Sequence, residues 1–326
     1  MSVTGSVHPP LIDVRDLERT FDVRRRVEGR RRRSRETVLA VHDLSFSVGA
    51  GEMVGYIGPN GAGKSTTIKM LTGILVPTGG QVRVAGLDPS RDRVALARRI
   101  GVVFGQRTTL WWDLPLRDSF DLLQKMYRIP PERYRENLDR FVDLLDLAGQ
   151  LDTPVRQLSL GQRMRGDITA ALLHDPEVLY LDEPTIGLDV VSKGRLREFL
   201  RALNDERGTT LVLTTHDLQD IEALCDRVIV IDHGTSVYDG TLAGLHAEGG
   251  SSRTLVVDLV DEAPPIAVPG ATVRRVDGPR QWLSFPAEAS AAPVVAAVAA
   301  SYDVADLSIQ EPAIEDVIRE LYSRTG

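Results

Sequence analysis

The residues Gly58-Pro59-Asn60-Gly61-Ala62-Gly63-Lys64-Ser65-Thr66 have the types and spacing needed to hold a polyphosphate. Glycine lets backbone N–H groups turn toward anionic oxygens at the positive end of a helix. Lys64 brings a compact charge to the β- and γ-phosphates, and the Ser65 hydroxyl can ligate Mg²⁺. Further along, Asp182-Glu183 ends the apolar run Val178-Leu179-Tyr180-Leu181, and His216 ends Leu211-Val212-Leu213-Thr214-Thr215. Gln106 stands just past Ile100-Gly101-Val102-Val103-Phe104. Asp182 suits a hard cation beside Ser65, and Glu183 suits proton removal from a water that attacks the γ-phosphate. His216 can donate to that phosphate or hold the geometry of Glu183 and the water, and Gln106 can sit near metal and water. Taken singly, these are a strand-end charge pair, a core histidine and a surface amide. In this order, beside a phosphate loop, they point to nucleoside triphosphate hydrolysis.

Such groups need elements to carry them. Met53-Val54-Gly55-Tyr56-Ile57 reads as a buried strand and Thr67-Ile68-Lys69-Met70-Leu71 as the start of a helix, which is the strand–loop–helix context that the motif requires. Continuous apolar runs at 178–181, 211–215 and 228–231, alternating with helical stretches, predict a parallel sheet covered on both faces. Polar residues at the carboxyl ends of such strands line the ligand crevice. Before the loop, residues 11–17 alternate as a half-buried strand does, and residues 38–41 and 44–48 read as strands of a hairpin. Phe21 falls in a turn-like position, where it could stack on a purine base or be a minor core residue. After the loop come a strand at 81–85, a helix at 94–99, and a helical stretch from Trp111-Trp112 to about Gln157, split by Pro130-Pro131. Leu158-Ser159-Leu160-Gly161-Gln162 then opens a further helix whose Ser-plus-Gly start suits an anion. From about Thr241 the composition changes. Gly249-Gly250-Ser251-Ser252 reads as a linker, residues 254–259 as a strand and 314–322 as a helix. The expected architecture is an α/β phosphate-loop NTPase domain over 1–240, with an antiparallel β subdomain and a helical insertion at about 107–165. A small α+β accessory domain follows over 241–326.

The 326 residues hold one large domain plus an appendage, and 42% hydrophobic with 26% charged residues is the balance of an ordinary globular protein. A net charge of −7 argues against nucleic acid as the main partner. Cys225 is the only cysteine, so an intramolecular disulfide is excluded; its neighbours mark it as a small buried hydrophobe in a reducing setting. No run reaches the roughly 18 apolar residues of a membrane helix, and Val294-Val295-Ala296-Ala297-Val298-Ala299-Ala300 reads as an amphipathic surface helix. The N-terminus shows no charged–apolar–small leader pattern. Any membrane role is therefore borrowed from a partner. The basic run Arg24-Arg25-Arg26-Val27-Glu28-Gly29-Arg30-Arg31-Arg32-Arg33-Ser34-Arg35 is expected to be a mobile, solvated loop. Contact with anionic lipid headgroups is the sharper alternative for it.

Over roughly residues 11–240 the sequence resembles the nucleotide-binding subunits of ABC transporters. Residues 58–66 resemble their Walker A, Gln106 the Q-loop glutamine, and Ser159, Leu160, Gly161 and Gln162 the signature. Val178-Leu179-Tyr180-Leu181-Asp182-Glu183 resembles the Walker B with its catalytic glutamate. Gly187-Leu188-Asp189 resembles the D-loop, His216 the switch histidine, and Phe21 the aromatic that stacks on adenine. The family usually has glycine where this chain has Leu160. Gly105-Gln106-Arg107-Thr108-Thr109-Leu110-Trp111-Trp112-Asp113-Leu114, Leu160-Gly161-Gln162-Arg163-Met164-Arg165 and the ending Glu311-Pro312-Ala313-Ile314-Glu315-Asp316-Val317 are similar to ABC-2 type exporter ATPases for sodium extrusion or drug resistance.

The resemblance implies ATP and Mg²⁺ as cofactors, with metal held by Ser65, Asp182 and Gln106. It implies catalysis by Glu183, His216 and Gln106. It also implies a homodimer or heterodimer of nucleotide-binding domains, in which Ser159, Leu160, Gly161 and Gln162 of one chain close on ATP held by the other. The helical stretch after Gln106 would meet a separate transmembrane permease, placing the chain at the cytoplasmic face of the plasma membrane. The rival reading is a soluble ABC-type ATPase acting on ribosomes or DNA. Its relatives carry two nucleotide domains or a long coiled-coil insertion, neither of which is present here.

Overall fold

Whether a strand reads as alternating or continuously apolar depends on how many of its faces are covered, and the strands of this chain divide along that line. The computed structural model describes residues 9–26, 33–105, 107–215, 217–249, 252–286, 289–310 and 314–325. The chain forms two compact units, Met1–Asp239 and Gly240–Gly326. In order, the first runs β1 (Ile12–Arg26), β2 (Arg33–Val48), β3 (Met53–Ile57), α1 (Lys64–Leu71), β4 (Gly79–Val84), α2 (Arg93–Ala97) and β5 (Ile100–Phe104). It continues through α3 (Leu116–Tyr127), α4 (Pro131–Leu144), α5 (Leu160–Leu172), β6 (Val178–Asp182), α6 (Val190–Arg207), β7 (Thr210–Thr214), α7 (Leu218–Leu224), β8 (Arg227–Asp232) and β9 (Thr235–Thr241).

Six of these strands form one sheet in the order β5-β6-β7-β3-β8-β9, with neighbours from β5 to β8 parallel. Val54, Tyr56, Val178, Leu179, Leu181, Leu211, Val228 and Val230 are all buried, which is why these segments read as unbroken apolar runs. The order puts β7 between β6 and β3. Their carboxyl ends carry Asp182, Thr214 and the start of the phosphate loop side by side. Cys225 is buried as expected, and burial pushes its thiol up to about 12.

A second, antiparallel sheet has the order β2-β1-β4. Its Ile12, Val14, Leu17, Val41, Leu44 and Phe46 pack into one core with Tyr56, Ile68, Met70 and Tyr180. The register slips between Val14 and Leu17, where Asp16 adopts φ 48°. Two expectations change here. Phe21 lies inside β1, opposite Val38, and not in a turn. The basic run is not a free loop over 24–35, because Arg24 pairs with Arg35, Arg25 with Ser34 and Arg26 with Arg33. Residues 27–32 of that run lie outside the described residues. A ladder uses backbone groups that every non-proline residue supplies, so charge alone does not end it.

The helical insertion packs α3 and α4 against α5, burying Phe120, Leu123, Tyr134, Leu138 and Phe141. Arg128 closes α3 at φ 57°, and Pro131 stands at the first turn of α4, where its missing N–H is not needed. Short 3₁₀ turns at Ala148–Gln150 and Val155–Gln157 lead to α5.

The second unit comprises α8 (Leu242–Gly249), β10 (Ser252–Leu259), β11 (Thr272–Asp277), β12 (Arg280–Pro286), α9 (Ala291–Ser301), β13 (Val304–Gln310) and α10 (Ile314–Thr325). Its antiparallel sheet has the order β11-β12-β10-β13. The alanine-rich helix α9 packs Val294 and Val298 onto Leu255, Val257, Leu283 and Phe285. Helix α8 was not legible in the sequence: Gly249 closes it and Ser252 opens β10, with 250 and 251 outside the described residues. No helix among the described residues is long and apolar enough to cross a membrane.

The fold predicts one stabilising substitution. The Tyr180 hydroxyl is buried without a hydrogen-bond partner among the described residues. Tyr180→Phe removes that unsatisfied group and is expected to leave stability unchanged or raise it by about 1 kcal/mol, measured by urea denaturation.

Candidate functional site

The phosphate loop is built by backbone conformations that side chains resist. Gly61 and Gly63 adopt φ 88° and 101°, and a Cβ on Gly63 would lie 2.7 Å from the Ala40 carbonyl oxygen. Gly63 caps the N-terminus of α1, so the free N–H groups of that helix face the loop. The Lys64 ammonium donates to the carbonyl oxygens of Gly58 and Pro59 at 2.5 and 3.1 Å. Burial pulls its pKa down, and the negative charges of Glu183 and Asp182 oppose that shift. Lysine and both carboxylates therefore share one electrostatic environment.

That environment is a cleft of about 540 Å³. Pro59, Asn60, Gly61, Gly63, Lys64, Ser65 and Thr66 line it together with Phe104, Gly105, Arg107, Asp182 and Glu183. The Asp182 carboxylate accepts a 2.5 Å hydrogen bond from the Thr214 hydroxyl on β7, fixing it at the strand end. Glu183 has φ 56°, a left-handed conformation that costs a side-chain-bearing residue on the order of 1 kcal/mol or more. Its N–H donates to the Thr214 carbonyl at 2.8 Å, which holds the turn. Lys69 and Ala40 also line the cleft, and so does Arg107; sequence reasoning missed all three. Lys69 was visible one turn beyond Lys64, and Arg107 beside Gln106, but spacing alone does not say which way such side chains point.

Gln106 and His216 lie outside the described residues. The chain on either side of them is anchored. Arg107 N–H donates to the Phe104 carbonyl at 3.1 Å. Next, one oxygen of the buried Asp167 on α5 accepts from the Thr108 hydroxyl, the Thr109 N–H and the Thr109 hydroxyl at 2.9, 2.8 and 3.1 Å. Burial raises the Asp167 pKa, and those donors with Arg163 work against the rise. On the other side, Asp217 takes a 2.5 Å bond from Lys193, and fully buried Asp220 takes 2.7 and 2.6 Å bonds from Arg197 and the Thr185 hydroxyl. These bonds tie α7, which follows His216, to α6 and to the loop that follows Glu183.

Ser159, Leu160, Gly161 and Gln162 do not line the cleft, and neither does Asp189. Ser159 is the N-cap of α5 in a capping box: its hydroxyl accepts from Gln162 N–H at 3.2 Å, and the Gln162 side chain accepts from Ser159 N–H at 2.9 Å. Asp189 caps α6, and its bonds from the Ser192 N–H and hydroxyl hold its carboxyl below the usual range. Phe21 also stands outside the cleft lining, with the Arg19 guanidinium 4.6 Å over its ring.

Known proteins resemble this chain in sequence and in fold. The family described as ABC transporter matches residues 41–186. The daunorubicin resistance ATP-binding protein DrrA3 of Streptomyces coeruleorubidus is 35% identical over 86% of this chain and 90% of its own. Nod factor export ATP-binding protein I of Rhizobium sp. (strain N33) is 35% identical, over 72% of this chain and 80% of its own. Among solved structures, the dimeric post-hydrolysis state of the ATP-binding cassette MJ0796 bound to ADP and Pi superposes with a TM-score of 0.61. It is 26% identical and covers 71% of this chain and 98% of its own.

The Asp167 anchor predicts a measurable cost. Asp167→Ala removes the shared acceptor of the Thr108 and Thr109 donors, which are half-buried and exposed, and is expected to destabilise the fold by about 1–2 kcal/mol in chemical denaturation. Asp167→Asn, which keeps an acceptor oxygen, is expected to cost less than half of that.

Proposed function

The chain belongs to the ABC transporter ATP-binding proteins, and from that premise we propose that it is the ATPase driving a separate membrane permease in export. The observation that carries the reading is the single cleft that gathers the phosphate loop, Asp182 and Glu183. The export direction rests on the relatives, whose names specify drug resistance and Nod factor export.

In this reading ATP lies with its phosphates in the loop at 58–66, held by backbone N–H groups and by Lys64. Mg²⁺ fits the donors on offer, the Ser65 hydroxyl and the Asp182 carboxylate in the same cleft. No cluster of three or more metal-binding His, Cys, Asp or Glu side chains occurs among the described residues. A sparse oxygen set suits a cation that fills its shell with water and phosphate oxygens. When bound, the ion would neutralise charge on the β- and γ-phosphates. Glu183 takes the proton from the attacking water; Gln106 and His216 are assigned to hold that water and the γ-phosphate.

Ser159 and Gly161 of the signature are assigned to a second copy's cleft. They stand outside the cleft of their own chain, and the MJ0796 cassette, solved as a dimer, supports the pairing of two chains; the head-to-tail arrangement is the one the reading adopts. ATP then bridges two chains, and its hydrolysis releases them, a two-state element to which a permease can couple. The helical insertion is the surface assigned to that permease: Trp111, Trp112 and Met126 are exposed there, with the Arg163 guanidinium 5.4 Å over the Trp112 ring. In this reading the chain sits peripherally at the cytoplasmic face of the membrane.

Two substitutions test the assignment. Glu183→Gln is expected to bind ATP normally and reduce phosphate release at least about a hundredfold. In ATP the same variant should elute as a dimer on size exclusion. Unchanged phosphate release would remove Glu183 from the role of base. Lys64→Ala is expected to abolish binding of a fluorescent ATP analogue, and retained micromolar affinity would refute the phosphate-loop reading.

A further inference from the structure

Leu160 stands where the resemblance leads to a glycine, and although its side chain is 38% exposed, one edge of it packs on Gly187. A Cβ built on Gly187 would overlap Leu160 Cδ2 and lie 2.8 Å from Leu160 Cγ. A Cβ built on Gly161 would lie 2.8 Å from Leu188 Cδ2. The two glycines and two leucines therefore interdigitate, Leu160 over Gly187 and Leu188 over Gly161. Gly187 itself has φ 73°, so a side chain there is excluded by backbone conformation as well as by space. A glycine at 160 would present no atom beyond its Cα to this contact.

The contact joins the first turn of α5, in the helical insertion, to the loop that runs from Glu183 to Asp189. Hydrogen bonds within the loop and to α7 also hold it. Ile186 N–H donates to Glu183 carbonyl at 3.3 Å, Leu188 N–H to Thr185 carbonyl at 3.2 Å, and the Thr185 hydroxyl to Asp220 at 2.6 Å. Asp189 ends the loop as the cap of α6. Glu183 begins it in a left-handed conformation, which persists where the surroundings over-determine the backbone.

We propose that Leu160 is a positioning residue that clamps the loop from Glu183 to Asp189 against α5 and thereby holds the Glu183 turn in its hydrolytic geometry. The proposal rests on the ATPase reading above. Because Leu160 acts through the loop and not on the phosphates, its effect falls on turnover and not on nucleotide affinity. It also gives the helical insertion, the part assigned to the permease, a direct mechanical hold on the catalytic loop.

The test compares the full-length chain with Leu160→Gly and Leu160→Met, by phosphate release against ATP concentration and by binding of a fluorescent ATP analogue. Leu160→Gly is expected to lower kcat about tenfold or more, with KM and analogue affinity within about twofold of the parent. Leu160→Met, whose long apolar side chain still reaches Gly187, should recover most of kcat. In a Glu183→Gln background, Leu160→Gly should still dimerise in ATP, which separates clamping from direct contact with a partner's nucleotide. An unchanged kcat, a KM rise that accounts for the loss, or a lost dimer would each overturn the clamp. A parent chain without ATPase activity would sink the reading of the site, whereas an active parent with an indifferent Leu160→Gly would sink the clamp alone.

Discussion

The position of β7 between β6 and β3 is the constraint on which the site depends. Parallel strands bring their carboxyl ends to one edge of the sheet, and this order places the phosphate loop leaving β3 one strand away from Asp182 at the end of β6. Thr214, at the end of the strand between, donates its hydroxyl to Asp182 and accepts the Glu183 N–H on its carbonyl. One residue of the separating strand thus fixes both acidic groups. Lys64 feels both carboxylates across the cleft, and burial strengthens that interaction by excluding water. Ordering the strands differently would leave the same motifs in the sequence without a shared cleft.

This explains what was legible and what was not. Loop, strand and helix around Lys64 were readable because glycine spacing and period-2 or period-3.6 hydrophobicity are local properties. The parallel sheet was readable from continuous apolar runs, since β3, β6, β7 and β8 are covered on both faces. The course of the chain through Phe21 and the arginines was misread, because ladder pairing is a long-range choice that local charge does not reveal. Lys69 and Arg107 were seen as residues but not as cleft lining, since their direction depends on α1 and on the turn closed by Phe104. Asp167 and Asp220 left no local signal at all. Each is an acidic residue inside a helix, and its meaning appears only when Thr108, Thr109, Thr185 and Arg197 arrive from elsewhere.

Those two buried aspartates do related work on segments that adjoin site residues. Asp167 fastens the segment after Gln106 to the signature helix, and Asp220 fastens the loop after Glu183 to the helix that follows His216. A carboxylate without water is costly unless hydrogen bonds replace its hydration, and each here receives at least two donors. Such sites are stiff: moving one donor leaves a buried charge under-satisfied, so the attached segments favour discrete positions over gradual drift. Stiffness of this kind suits the proposed reading, in which a second copy completes the nucleotide cleft.

The same logic makes sense of a signature turn with leucine in place of glycine. A glycine there would make no side-chain contact, whereas Leu160, 38% exposed, lays its Cδ2 and Cγ on Gly187 within its own chain. The packing runs through apolar contact, which is non-directional and survives small rotations of α5 better than a hydrogen bond would. The polar anchors at Asp167 and Asp220 set the register of the segments, and under the proposed clamp the Leu160–Gly187 contact would let the helical insertion bear on the loop from Glu183 to Asp189 while α5 adjusts to a partner. A hard connection on both sides and a compliant one between them is what a cassette needs if closure on ATP is to be felt in the helical insertion and release after hydrolysis is to be felt there as well.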